Sequence, residues 1–223
     1  MKKIIVLLAI FFTIPSFGQD SKKINLIDYI KEIQVWEKEN STMSMSFWIP
    51  GSYWKIAMQD NPQVPEEIIY QLTAALKEYV FICTLNAKIN IDGTMQFEDE
   101  AVMRSTLSIE DSTGKTYLPL ENDLISADAL SLSEAIKPLF SQMFGQMGAG
   151  MHFYFFKIQD KKGTNLIDEY KDGSFTIYHS DRKFNYNLPL ITLLPIKKCP
   201  TDEADMQGNW KYCPIHGVVL KDQ

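Results

Sequence analysis

Apolar positions recur along this chain with two periods, one near two residues and one near 3.6, and the period of each stretch indicates what it builds. Phe81, Cys83, Leu85, Ala87, Ile89 and Ile91 alternate with Ile82, Thr84, Asn86, Lys88 and Asn90. This is the clearest strand signal in the sequence, and it turns Cys83 toward the core as a small buried hydrophobe. Met43, Met45 and Phe47 alternate with Ser44 and Ser46 in the same way. So do Phe175 with Ile177, and Phe184 with Tyr186 and Leu188, on either side of a turn at His179–Arg182. Met151 to Ile158 is almost wholly apolar and reads as a buried strand, and Met95 to Ile109 reads as a further one.

Helical spacing appears in Ile24, Leu26, Ile27, Ile30, Ile33 and Trp36, which predicts a helix over residues 20–40. Ile68, Leu72, Ala75, Leu76 and Tyr79 predict a second, opened by Pro65 at the end of a turn over 61–65. Ser131 with Glu134 forms a capping box for a short third helix, with Pro138 near its first turn or kinking it. Asp92-Gly93 and Glu110–Lys115 are turns, and Gly163–Gly173 is a polar connection. Gly145, Gly148 and Gly150 precede a strand instead of joining strand to helix, which excludes a nucleotide cradle. Roughly six or seven strands with two or three helices predict a mostly β fold over residues 19–195, an immunoglobulin-like β-sandwich with an N-terminal helical elaboration.

Composition adds a compartment. Lys2 and Lys3, the apolar run Ile4 to Ile14 and the small residues Ser16 and Gly18 have the order of a removable signal peptide over residues 1–18, with cleavage before Gln19. That apolar run falls short of the roughly 20 residues that span a bilayer, so no stable membrane span is expected after cleavage. Secretion or a periplasmic location follows. Losing Lys2 and Lys3 with the signal moves the formal charge from −6 to −8. Such an acidic chain has no counterion-release drive toward nucleic acid, which leaves a protein or an envelope component as the partner class.

Catalytic patterns are sparse. The sequence holds no G-x-S-x-G, H-E-x-x-H, Walker or EF-hand signature, and neither His152 nor His179 has a carboxylate or nucleophile at a telling spacing. Glu98-Asp99-Glu100 and Asp123 read as a solvated face. The aromatic stretch Trp48 to Trp54 is core, a plug over one end of the sandwich, or a sugar-stacking face. The functional expectation is a non-catalytic binding or structural module of the cell envelope. The alternative is an extracytoplasmic hydrolase with a loop-built site near Trp48 to Trp54.

The remaining stretch, Cys199 to Gly217, holds two of the three cysteines and one of the three histidines. Cys213-Pro214-Ile215-His216-Gly217 places two metal-ligand types three positions apart, with Pro after the first and Gly after the second. Cys199-Pro200-Thr201-Asp202 repeats the pattern with a carboxylate in the second place and Glu203 where a glycine would ease the turn. Over these residues the chain resembles zinc ribbons and rubredoxin-type knuckles. The resemblance implies a hairpin module over residues 196–223 held by one structural zinc, with Cys199, Asp202, Cys213 and His216 as ligands. A Cys199–Cys213 disulfide, or a relic knuckle with neither, are the other readings of the same residues.

Overall fold

The alternating stretch around Cys83 forms a ten-residue strand that pairs with three others, and the chain is arranged around it. The computed structural model describes residues 23–60 and 65–221. The expected signal peptide and most of the turn over 61–65 lie outside them. In chain order the elements are α1 (Leu26–Ile33), β1 (Gln34–Glu39), β2 (Thr42–Trp48), α2 (Ser52–Met58), α3 (Glu66–Leu76), β3 (Val80–Ile89), β4 (Met95–Phe97) and α4 (Glu100–Thr106). There follow β5 (Ser108–Asp111), β6 (Thr116–Tyr117), α5 (Ala127–Phe144), β7 (His152–Phe156), β8 (Gly173–His179), β9 (Arg182–Leu188), β10 (Lys197–Lys198) and β11 (Asp205–Met206). At about 31% strand and 32% helix the protein is mixed α/β, more helical than the mostly β expectation.

All three sheets are antiparallel. The largest runs β1-β2-β3-β4, with β7 also paired to β3; the second runs β6-β5-β8-β9; the third is the β10–β11 pair. Side-chain alternation gives the large sheet two faces, and both are covered. Phe47 and Phe153 project from one face against Phe140 of α5, with ring centroids 6.0 and 5.3 Å away. Trp48 projects from the other face onto Phe175 of β8 and Tyr186 of β9, edge-on at 5.1 and 6.3 Å. Helices, large sheet and small sheet thus form successive layers, and Trp48, Tyr53 and Trp54 are core, each less than a tenth exposed.

Three predicted elements differ from the sequence reading. The helix expected over 20–40 stops at Ile33, because Gln34 to Glu39 pair residue by residue with Phe47 to Thr42 through a turn where Asn40 has φ +51°. Cross-strand pairing outweighs a helical stripe that leaves Trp36 39% exposed. The long strand expected over 95–109 is interrupted by α4, which buries Met103. The third helix starts at Ala127, since Ser126 and not Ser131 provides its cap by accepting the Ala129 N–H at 3.3 Å. Pro138 lies inside that helix on its exposed side, where the carbonyl it frees meets water. The glycines before β7 form 3-10 turns packed on α5, so close that a Cβ at Gly148 would lie 2.4 Å from the Ser141 Cα.

Turn chemistry repeats. Asn90, Asp111 and Asp160 each accept an N–H from the glycine three residues on and donate their own N–H to the carbonyl four residues on. The shared spacing closes three turns with one geometry, glycine taking the left-handed position each time.

Between the two large sheets lies a buried polar band. The Tyr186 hydroxyl donates to the Ser46 carbonyl at 2.8 Å, and the His179 Nε2–H donates to the Met45 carbonyl at 3.2 Å. The His179 ring also stacks on Phe184 at 4.4 Å. Burial holds the His179 pKa down at about 4, with the Met45 bond opposing and the Arg182 charge adding to the fall. Ser46 and Thr84 face one another across β2 and β3, fully buried, and neither hydroxyl has a hydrogen-bond partner.

Two outcomes are expected. An imidazole at about 4 in the fold and near 6.5 when unfolded binds its proton more readily unfolded. Its contribution is therefore complete above pH 6.5 and falls by about 3 kcal/mol as pH drops to 4. Denaturant unfolding across that window measures the slope, and His179→Gln, which can still donate to Met45, should flatten it. Thr84→Val removes an orphaned hydroxyl at nearly constant volume, so its unfolding midpoint should equal or exceed the parent's, by up to about 1–2 kcal/mol. A clear loss would show that the hydroxyl is satisfied.

Candidate metal centre

The tail folds around its own small core. Cys199, Met206, Cys213 and Leu220 are buried together, with Ala204, Trp210 and Val218 packed against them, separately from the main core. Lys197 pairs with Met206 and Lys198 with Asp205 in one hairpin, Tyr212 bridges Val219 in the next, and Lys198 bridges Lys221 to join the two.

Both halves of the tail take the same local shape. The Glu203 N–H reaches the Cys199 carbonyl at 2.8 Å, and the Cys199 N–H reaches the Ala204 carbonyl at 3.0 Å. Fourteen positions later the Gly217 N–H reaches the Cys213 carbonyl and the Cys213 N–H the Val218 carbonyl, both at 2.8 Å. Glu203 and Gly217 occupy the matching left-handed position at φ +60° and +66°. Glu203 therefore adopts the conformation its sequence made unfavourable, at a cost of about 1 kcal/mol or somewhat more. The half that lacks both histidine and glycine takes the same backbone turn, and Asp202 stands where His216 stands in the other.

This equivalence brings three of the four predicted ligands together. The Cys199 Sγ, Cys213 Sγ and a nitrogen of His216 lie within 4.8 Å of one another. His216 Nδ1 is 3.3 Å from the Cys199 sulfur and 3.6 Å from the Cys213 sulfur. Zinc held tetrahedrally by sulfur at 2.3 Å and nitrogen near 2.0 Å separates its ligands by roughly 3.3–3.8 Å, so these contacts have the length of tetrahedron edges. Asp202 is the outermost of the four. Its Oδ2 is 3.9 Å from His216 Nδ1, while its Oδ1 accepts the Ala204 N–H at 3.1 Å. One carboxylate oxygen is thereby fixed by the backbone and the other turned toward the imidazole, and the carboxylate stands beside the three-residue cluster, not within it.

The surroundings favour the anionic form at Cys213 and Asp202 and oppose it at Cys199. The His216 N–H approaches the Cys213 sulfur at 3.4 Å. Burial pushes the Cys213 thiol up, but hydrogen bonds from the His216 and Ile215 N–H groups, and from Cys199 and the His216 ring, outweigh it and hold its pKa below the ordinary value. Burial pushes Cys199 up, the Thr201 and Asp202 N–H groups oppose it, and hydrogen bonding to Asp202 and Cys213 adds to the rise. The Asp202 carboxyl is held low by the Ala204 N–H first, then by Cys199 and the His216 charge. All three cysteines are free thiols, and Cys83 lies fully buried in the main core.

Elsewhere His152 and Glu100 line one cleft of about 350 Å³ with Arg104 and Glu121, away from the aromatic stretch Trp48 to Trp54. His179 is buried between the sheets, and His152 Nε2 contacts the Glu98 carbonyl at 3.1 Å. A cleft of about 400 Å³ beside α3 reaches Trp48, Pro50 and Gly51, together with Asp168 and Glu169, and neither histidine lines it. Its carboxylates are already engaged: Glu169 accepts from the Ser52 N–H and hydroxyl at the start of α2, and Asp168 from the Tyr170 N–H and Lys171. The Glu169 contact, 117 residues away in sequence from Ser52, had no signal in the sequence.

Substitutions separate the ligand roles. Cys213→Ser and His216→Ala should each abolish stoichiometric zinc uptake, and Asp202→Ala should weaken it by at least about tenfold, roughly 1.4 kcal/mol. Asp202→Cys should tighten it, since thiolate suits zinc better than carboxylate in a closed site. Competition with a chromophoric chelator measures all four. No family model, curated protein or solved structure matches the chain, so the chemistry of the centre rests on its own geometry.

Proposed function

We propose that this chain is a secreted or periplasmic, non-catalytic binding or structural module of the cell envelope, whose tail over residues 196–223 is a zinc-ribbon-like unit locked by one structural zinc. The body over 19–195 then acts as a sandwich of immunoglobulin-like kind that presents its surface to a protein or envelope component. One observation carries this reading: two turns of equivalent backbone shape bring two sulfurs and one imidazole into a single cluster, with the Asp202 carboxylate beside the imidazole as the candidate fourth ligand. Four protein ligands fill a tetrahedral ion, leave no place for substrate or activated water, and direct the binding energy into folding. The position of His216 Nδ1 between the two sulfurs favours metal over a plain disulfide, which has no use for an imidazole there. Support for export is the order of charged, apolar and small residues over 1–18. Among the described residues no helix is long and apolar enough to cross a membrane.

The exported protein should begin at Gln19 and carry one zinc per chain, by N-terminal sequencing and metal analysis. Chelation should raise amide exchange across 197–221 while β3 stays protected, because the tail core is separate from the main one. An exchangeable zinc-bound water, or an enzymatic activity lost on chelation with the body intact, would overturn the structural role and favour the hydrolase alternative.

A further inference from the structure

We infer that the Cys199–Cys213 pair is a redox switch: a hydroperoxide-class oxidant joins the two metal-holding sulfurs in an intramolecular disulfide and thereby releases the zinc. This rests on the zinc reading above and adds to it a regulation of the same centre. The two cysteines occupy the same position in two equivalent knuckles, and both sulfurs belong to one cluster whose ligand atoms lie within 4.8 Å of one another. Sulfurs held so near as metal ligands are near enough to bond with small side-chain movement. The chemistry then needs only an electron acceptor.

In the first step, written for hydrogen peroxide, one thiolate attacks the peroxide, the O–O bond breaks, and a sulfenic acid forms while the second oxygen leaves as hydroxide, or as alkoxide from an organic hydroperoxide. In the second step the other thiolate attacks the sulfenic sulfur, the S–S bond forms, and a second hydroxide leaves. Two electrons pass from sulfur to peroxide, and the two hydroxides take up two protons to become water. The centre loses two anionic ligands, and His216 with Asp202 alone cannot retain the ion.

Access and pairing follow from burial. Cys199 and Cys213 are 0% and 1% exposed, yet the side chains beside them are open to solvent, His216 by 31% and Asp202 by 41%. Asp202 is the least suited ligand for zinc and lies on the exposed side, so its departure opens the route to the sulfurs. The third cysteine, Cys83, is buried in the other core at 0% exposure and does not compete as a partner.

The test uses the zinc-loaded full-length exported protein, with hydrogen peroxide as the probe and a chromophoric chelator as the zinc indicator. Expected are release of one zinc per chain, loss of two hydrogens from the intact mass, a peptide map linking Cys199 to Cys213, and full recovery with dithiothreitol and zinc. Cys83→Ser should behave as the parent. Asp202→Asn, with a looser fourth ligand, should release zinc several-fold faster at the same peroxide concentration. Zinc retained under peroxide would overturn the switch, as would release accompanied by sulfinic acid or intermolecular dimers, and both leave the zinc reading intact. A reduced chain that takes up no zinc sinks that reading and the switch with it, even if the disulfide forms.

Discussion

The fold depends on one strand that is buried on both faces over most of its length. All but three of the ten residues of β3 are fully buried, and its two edges are occupied by β2 on one side and by β4 and β7 on the other. A sheet built around such a strand must be covered twice, and the chain supplies two different covers. The aromatic rings of α5 close one face and the β8–β9 hairpin closes the other, with Trp48 as the contact between sheets. The polar band left between the sheets is tolerated because Tyr186 and His179 direct their hydrogens at main-chain carbonyls of β2.

That arrangement explains which parts of the fold were legible. The alternation of β8 and β9 records a choice between two environments at every residue and survives into the structure, whereas β3 ends at Ile89 and leaves Ile91, read as its last core position, fully exposed in the turn beyond. Residues 34–39 carried no such record: β1 is an edge strand with no fully buried position, so its sequence reflects solvent on both sides. Its pairing with β2 is set by the hairpin and by the strand next to it, neither of which is visible in a local window. The helix α4 was hidden for the opposite reason. Its one buried residue, Met103, fits a strand pattern as well as a helical one, and a seven-residue element offers too few positions to distinguish the periods.

The metal centre was legible because its parts are close in sequence. The spacing of Cys213 and His216 marks one knuckle, the resemblance to zinc ribbons implies Cys199 and Asp202 as the other ligands, and the structure brings three of the four into one cluster with Asp202 beside it. What spacing could not reveal was that the first half closes the same backbone turn as the second. Glu203 in a left-handed conformation contradicts its local preference, and only the surrounding hydrogen bonds hold it there. Contacts such as Glu169 to Ser52 join segments whose separation leaves no trace in composition or period.

The separate core of the tail has a kinetic meaning. Every residue that builds it, and every ligand, lies between Lys197 and Lys221, so its contacts close only short loops. Structures of such low contact order form quickly and without help from distant chain. The body, whose central sheet waits for β7 to arrive some seventy positions after β3, is topologically slow by comparison. The order of events on the way to the native state is then set less by position along the chain than by loop length, and the last residues to be joined to the chain are among the first to find their partners.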